Sequence, residues 1–150
     1  MSRDRKKGIT LIELVVVMAI IAIGAVLLAP GIGAWIPTYR LRSASRDVVS
    51  VLRTAQMKAI SNNITYQVSF TPAAGTYVLQ YQTTAGFVSE GTVQTLPPGI
   101  VISGITFPGN NAQFNSNSTS STGSITLQNA KGNTKQISLT TATGRVNLTP

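Results

Sequence analysis

The chain has 150 residues and a formal charge of +8, from 12 Lys and Arg against 4 Asp and Glu, and it contains neither cysteine nor histidine. This inventory excludes disulfide staples, Cys- or His-based metal sites, and Ser-His-Asp or Cys-His nucleophilic chemistry. Beyond residue 8 the carboxylates are Glu13, Asp47 and Glu90, too few and too scattered for a paired-carboxylate site. Neither an enzyme nor a cofactor is expected.

The first segment, MSRDRKKG, holds Arg3, Arg5, Lys6 and Lys7, opposed by Asp4. It is too short and too polar for an ordinary secretory signal, whose small-residue cleavage site follows an apolar stretch. Here the small residue, Gly8, precedes the apolar run. A cut between Gly8 and Ile9 would leave that run on the mature chain as an anchor.

Residues 9–29 are apolar apart from Thr10, Glu13 and Gly24. As a helix they would extend about 31 Å, matching a hydrocarbon core of about 30 Å. Many are β-branched, which weakens a helix in water. In lipid the backbone must satisfy itself internally, so helix is the expected state. Pro30 cannot donate to the carbonyl one turn earlier and marks a kink, with Pro37 a second such point. Trp35 falls where an interfacial anchor belongs.

Glu13 is the anomaly of this run. A carboxylate inside a membrane costs about 2–4 kcal/mol and therefore calls for a partner. The amine of Ile9, freed by cleavage, supplies one, either within the chain or on a neighbouring subunit. In the second case Glu13 would set axial register between stacked helices, because a misregistered pair leaves a charge unmatched in an apolar bundle.

The stretch KKG-ITLIELVVVMAIIAIGAVLLAP resembles the type III signal of type IV pilins and type II secretion pseudopilins. The resemblance implies cleavage after Gly8 by a prepilin peptidase and methylation of the new terminus at Ile9. It also implies an assembly role for Glu13, the fifth mature residue, and a helix-kinking proline at Pro30. The family's usual first mature residue is Phe, where this chain has Ile9. Basic residues flank the apolar run on both sides, so the cytoplasmic placement of the N-terminus comes from the resemblance.

After Pro37, residues Leu41, Ala44, Val48, Val51, Leu52, Ala55 and Ala59 recur at helical spacing and form one apolar stripe. Arg42, Arg46 and Arg53 lie off it. Asn62 and Asn63 are the expected helix end. Ile64, Tyr66, Val68 and Phe70 then alternate with polar residues, TPAAG turns the chain, and Tyr77, Leu79 and Tyr81 alternate again, so 64–82 reads as a hairpin. Tyr66, Phe70, Tyr77 and Tyr81 at such positions are expected in a core. A loop through Gly86 and Gly91 leads to a strand carrying Ile100, Ile102 and Ile105. Residues 110–124, NNAQFNSNSTSSTGS, read as a flexible polar loop. A hairpin turned at 131–133 and a short strand at 145–148 complete the chain.

The helix-then-hairpin order, LPPGI, FNSNSTSSTGSITL and the terminal GRVNL resemble the GspH/FimT-type minor pilins and pseudopilins. The expected fold is α+β: a long N-terminal helix, membrane half plus amphipathic half, packed on a small antiparallel β-sheet head. The expected organisation is a cleaved leader (1–8), a transmembrane and assembly helix (9–37), and an amphipathic helix with β-rich head (38–150). The expected function is a structural subunit, a minor pilin or pseudopilin, of a type IV pilus or type II secretion filament, processed by prepilin peptidase and assembled through its N-terminal helix. It would sit in the bacterial inner membrane, head outward, and pass into the filament on assembly. Its partners would be prepilin peptidase, inner-membrane assembly machinery, membrane lipid and other subunits. A major pilin is one alternative. A pilus-tip DNA receptor is another, resting on a basic patch of Lys131, Lys135 and Arg145. Some FimT-type members bind DNA through Gly-Arg-any-Arg; Gly144 and Arg145 match this pattern, and Asn147 replaces its second arginine.

Overall fold

A computed structural model describes residues 9–141 and 144–149, without the side chains of 27–34. The chain divides into two compact units, Met1–Ile36 and Pro37–Pro150. Helix α1 spans Leu11–Asn62, and its helical assignment continues through positions 30 and 37. Gly8 and the side chain of Pro30, named for cleavage and kink, lie outside the described residues.

In the described part of the first unit the apolar side chains of α1 point outward on every side. From Leu11 to Val26 the large ones are 49–82% exposed. A helix apolar all round has no preferred face to bury. Among the described residues, no helix is long and apolar enough to cross a membrane. The apolar part that is described, 11–26, covers about 24 Å of a core of about 30 Å.

The second unit contains the core. The stripe on α1 is buried as its spacing requires: Leu41, Ala44, Val48, Leu52, Ala55 and Ala59 are almost wholly inaccessible, and Val51 is half-buried. Ser45 is buried beside them, its hydroxyl donating to the Leu41 carbonyl at 2.7 Å, so no polar group is stranded there. The helix stops because Asn63 takes the left-handed conformation, φ 54°, which Asn tolerates better than most residues.

Nine strands follow among the described residues, in two antiparallel sheets where a single one was expected. The first sheet has the order β3-β2-β1-β6, with β4 also paired to β2. Its strands are β1 (Tyr66–Thr71), β2 (Thr76–Thr83), β3 (Gly86–Ser89), β4 (Gln94–Thr95) and β6 (Asn111–Phe114). The second, ordered β5-β7-β8-β9, contains β5 (Ile100–Ile105), β7 (Gly123–Asn129), β8 (Thr134–Thr140) and β9 (Arg145–Thr149). Val68 of β1, Phe114 of β6, Ile125 and Leu127 of β7 and Ile137 of β8 meet the α1 stripe in one cluster.

The expected hairpins form. Tyr66 stands opposite Tyr81, and Phe70 opposite Tyr77, with ring centroids 6.1 and 6.0 Å apart. Such cross-strand aromatic pairs stabilise a sheet beyond their buried area. Tyr66, Phe70 and Tyr77 are core residues as expected, and Tyr81 packs against the core half-buried. At the β7–β8 turn, the Asn129 side-chain oxygen accepts from the backbone of both Lys131 and Asn133 at 3.0 Å.

Several expectations are corrected. Ile64 is exposed and precedes the first strand, which begins at Tyr66. The stretch through Gly86 and Gly91 contains β3 and β4, which lie along β2. Residues 110–124 are not a polar loop: they include β6, and Ala112 and Phe114 are buried there, opposite Val68 and Tyr66 of β1. Alternation of two apolar residues was enough to seat this strand. Gly123, at the end of the same stretch, opens β7 where Phe107 packs so closely that a Cβ would lie 2.5 Å from its ring and 3.1 Å from its Cα. Ile102 and Ile105, at odd spacing, share a face with Ile100 because β5 shifts register between Ile102 and Gly104.

Away from the stripe, Lys58 of α1 forms an ion pair with Glu90, beyond β3, and both side chains are about a third exposed. Hydrogen bonding to Glu90 raises the Lys58 ammonium above its ordinary value of 10.5. A raised ammonium contributes stability at neutral pH that is lost only as pH rises through the folded-state value. The unfolding midpoints of the parent and of Lys58→Met should therefore differ by a constant small amount from pH 6 to 9, and the gap should close only above about pH 10.5. Convergence below pH 9 would contradict this. Leu52, wholly buried, and Ile60, 47% exposed, separate the two sides of the helix. Leu52→Ala should cost about 2–5 kcal/mol in denaturant unfolding, and Ile60→Ala less than about 0.5 kcal/mol.

Candidate assembly site

The residues singled out at the N-terminal end are built on the first turn of α1. Ile9 and Thr10 precede the helix, and Ile9 is 77% exposed. The Leu14 backbone N–H donates to the Thr10 carbonyl at 3.2 Å, the first helical bond. The Glu13 N–H donates to Thr10 Oγ1 at 3.3 Å. Thr10 is therefore the N-cap, and Glu13 occupies the third helical position.

Thr-any-any-Glu at these positions is the sequence of a capping box. Ile9 and Leu14 stand at the two positions of a hydrophobic staple around it. The carboxylate also lies in the first turn, where the helix dipole favours negative charge. Sequence reasoning singled out Glu13 for its charge in an apolar run and missed Thr10, although the spacing signals a helix start. The consequence for the site is definite: Glu13 is fixed on an exposed, apolar helical turn within one turn of Ile9.

The basic residues named for nucleic acid are not brought together. Lys131 is in the β7–β8 turn, and Lys135 stands opposite Leu127 near the same end of that hairpin. Arg145 stands opposite Thr140, at the far end of β8. Five residues of strand separate Lys135 from Thr140, about 17 Å. Arg145 instead borders a groove that Arg53 and Met57 of α1 also line. No group of three or more acidic or metal-ligating side chains occurs among the described residues. The Tyr77 hydroxyl is pushed above its ordinary value by burial and, secondarily, by the charge of Asp47; it belongs to the core.

Comparison with known proteins bears on both ends of the chain. Residues 3–29 match the family model of the prokaryotic N-terminal methylation motif. No curated protein matches the sequence. A solved structure of the minor pseudopilin EpsH from the type 2 secretion system of Vibrio cholerae is similar with a TM-score of 0.64 at 11% identity, covering 73% of this chain and 96% of that one. A second EpsH structure from the same organism gives 0.61 at 12% identity, over 75% and 94%. The N-terminal segment thus carries the prokaryotic N-terminal methylation motif, and the chain has the α+β fold of a minor pseudopilin.

Proposed function

We propose that this protein is a non-enzymatic structural subunit, a minor pilin or pseudopilin, of a type IV pilus or type II secretion filament. In this reading prepilin peptidase cuts between Gly8 and Ile9, the Ile9 amine is methylated, and inner-membrane assembly machinery moves the subunit from lipid into a filament of like helices. The observation that carries the reading is the exposed apolar turn sequence of α1. Its side chains from 11 to 26 face outward all round, directly behind a methylation motif. Such a surface suits only lipid or neighbouring apolar helices.

The capped first turn supplies the mechanism. Cleavage would place an ammonium on Ile9, one residue before the N-cap and beside the positive end of the helix dipole. That position disfavours a cation unless a carboxylate is close. Glu13 is the one carboxylate in the described part of the first unit. While the subunit is in lipid, its own Glu13 can serve. In a filament, the Glu13 of a neighbour takes the ammonium, and the pairing fixes the axial step between helices.

Gly8→Ala should block cleavage, leaving the intact mass of the membrane-bound protein at that of the full chain. A species starting at Ile9 from this variant would remove the leader from the proposal. Glu13→Gln keeps the backbone cap to Thr10 and removes the charge. It should insert and be processed normally, while incorporation into sheared filaments or secretion assemblies falls by more than about tenfold, since stranding one member of a buried pair costs about 3–5 kcal/mol. Normal incorporation of this variant would exclude the ammonium-pairing role.

A further inference from the structure

The β9 strand ends its sheet, so one of its edges carries no ladder partner among the described residues. Beside that edge runs a groove whose other wall is α1. Two adjoining depressions of about 440 and 720 Å³ share Arg53, Met57, Val146 and Leu148. Arg46 lines one of them and Arg145 the other.

The lining has a definite chemistry. Arg46, Arg53 and Arg145 are exposed, and no ion pair of theirs occurs among the described residues. No carboxylate lines either depression. The apolar content is also open: Met57 is 62% and Leu148 43% exposed. Val146 and Leu148 stand opposite the buried Leu139 and Ile137, so they face the helix side of the sheet. The two walls match in length. From Arg46 to Met57 the helix rises about 16.5 Å, and the five residues of β9 extend about 17 Å.

We propose that this groove docks an extended, acidic and apolar segment of a partner protein, which adds as a further strand along the free edge of β9. Backbone hydrogen bonds to β9 supply the ladder, as in other strand additions. Alternate apolar side chains of the segment pack on Met57, Val146 and Leu148, and its carboxylates meet the three arginines. About five residues fill the groove. A second copy of this chain is a poor donor: Glu90 is held by Lys58, Asp47 lies towards Tyr77, and Glu13 belongs to the apolar turn. A nucleic acid would use the arginines and leave the strand edge and the apolar wall without partners. The proposal does not depend on the filament reading, because every residue in it belongs to the head and its helix.

The test is fluorescence anisotropy of the full chain in detergent micelles with a fluorescein-labelled octapeptide of alternating glutamate and valine. Saturable binding is expected, weakened at least about tenfold by the Arg46→Glu/Arg53→Glu double variant, where like charges face each other. The same peptide with N-methylated backbone amides keeps its charge and should bind at least about tenfold more weakly, because its ladder donors are gone. Equal binding of the N-methylated peptide would reduce the groove to a charge contact and overturn strand addition. Tighter binding of a single-stranded oligonucleotide through the same two arginines would assign the groove to nucleic acid instead. Absence of saturation would remove the docking site. The N-methylated arm needs no variant, so it decides even if the double substitution disturbs folding.

Discussion

The head depends on one stripe of α1. Leu52 and Val48 are among the most completely buried large side chains, and Ala44, Ala55 and Ala59 flank them on the same face. These residues and inward-facing residues of both sheets form one buried cluster. Neither sheet could bury its inner face alone, since a two-layer core needs a second surface. With no cysteine in the chain, packing and hydrogen bonding carry the stability that disulfides supply in many small exported domains.

The same helix uses its 3.6-residue period in two opposite ways. Between residues 41 and 59 the period sorts apolar from polar and produces a single buried face. Between 11 and 26 there is nothing to sort, and the surface is apolar in all directions. One sequence rule therefore marks two environments, a protein core and an apolar solvent. The arginines follow from the first pattern: excluded from the stripe, Arg46 and Arg53 emerge on the face that turns towards β9.

What could be read from sequence was whatever is local. The stripe, the Asn63 helix end and the β1–β2 and β7–β8 hairpins are set by residues near one another in the chain. What could not be read depends on distant pairing. β6 was hidden because Ala112 and Phe114 sit among Asn and Ser, and their burial is decided by β1, more than forty positions earlier. The split into two sheets is a property of that pairing order. Ile105 shares a face with Ile102 only through a bulge. At the N-terminal end Glu13 was legible by its charge, whereas Thr10, a small polar residue, drew no notice without its cap geometry. The convergence of Arg145 with Arg53 was not legible at all, since it requires β9 to lie beside α1.

Magnitudes decide how the N-terminal helix behaves. About ten large apolar side chains are exposed between 11 and 26, each worth about 1.5–3 kcal/mol when buried. Together they favour an apolar environment by about 15–30 kcal/mol, more than the about 5–15 kcal/mol that holds a typical domain folded. Exposure of this surface to water is thus unfavourable for the chain. Against that sum, the cost of one carboxylate at Glu13, about 2–4 kcal/mol, cannot prevent insertion. It is nevertheless large on the scale of choosing between neighbours, where each 1.4 kcal/mol is a factor of ten. In the proposed function, therefore, the apolar surface is what would take the helix out of water, and the Glu13 charge is what would choose among arrangements there.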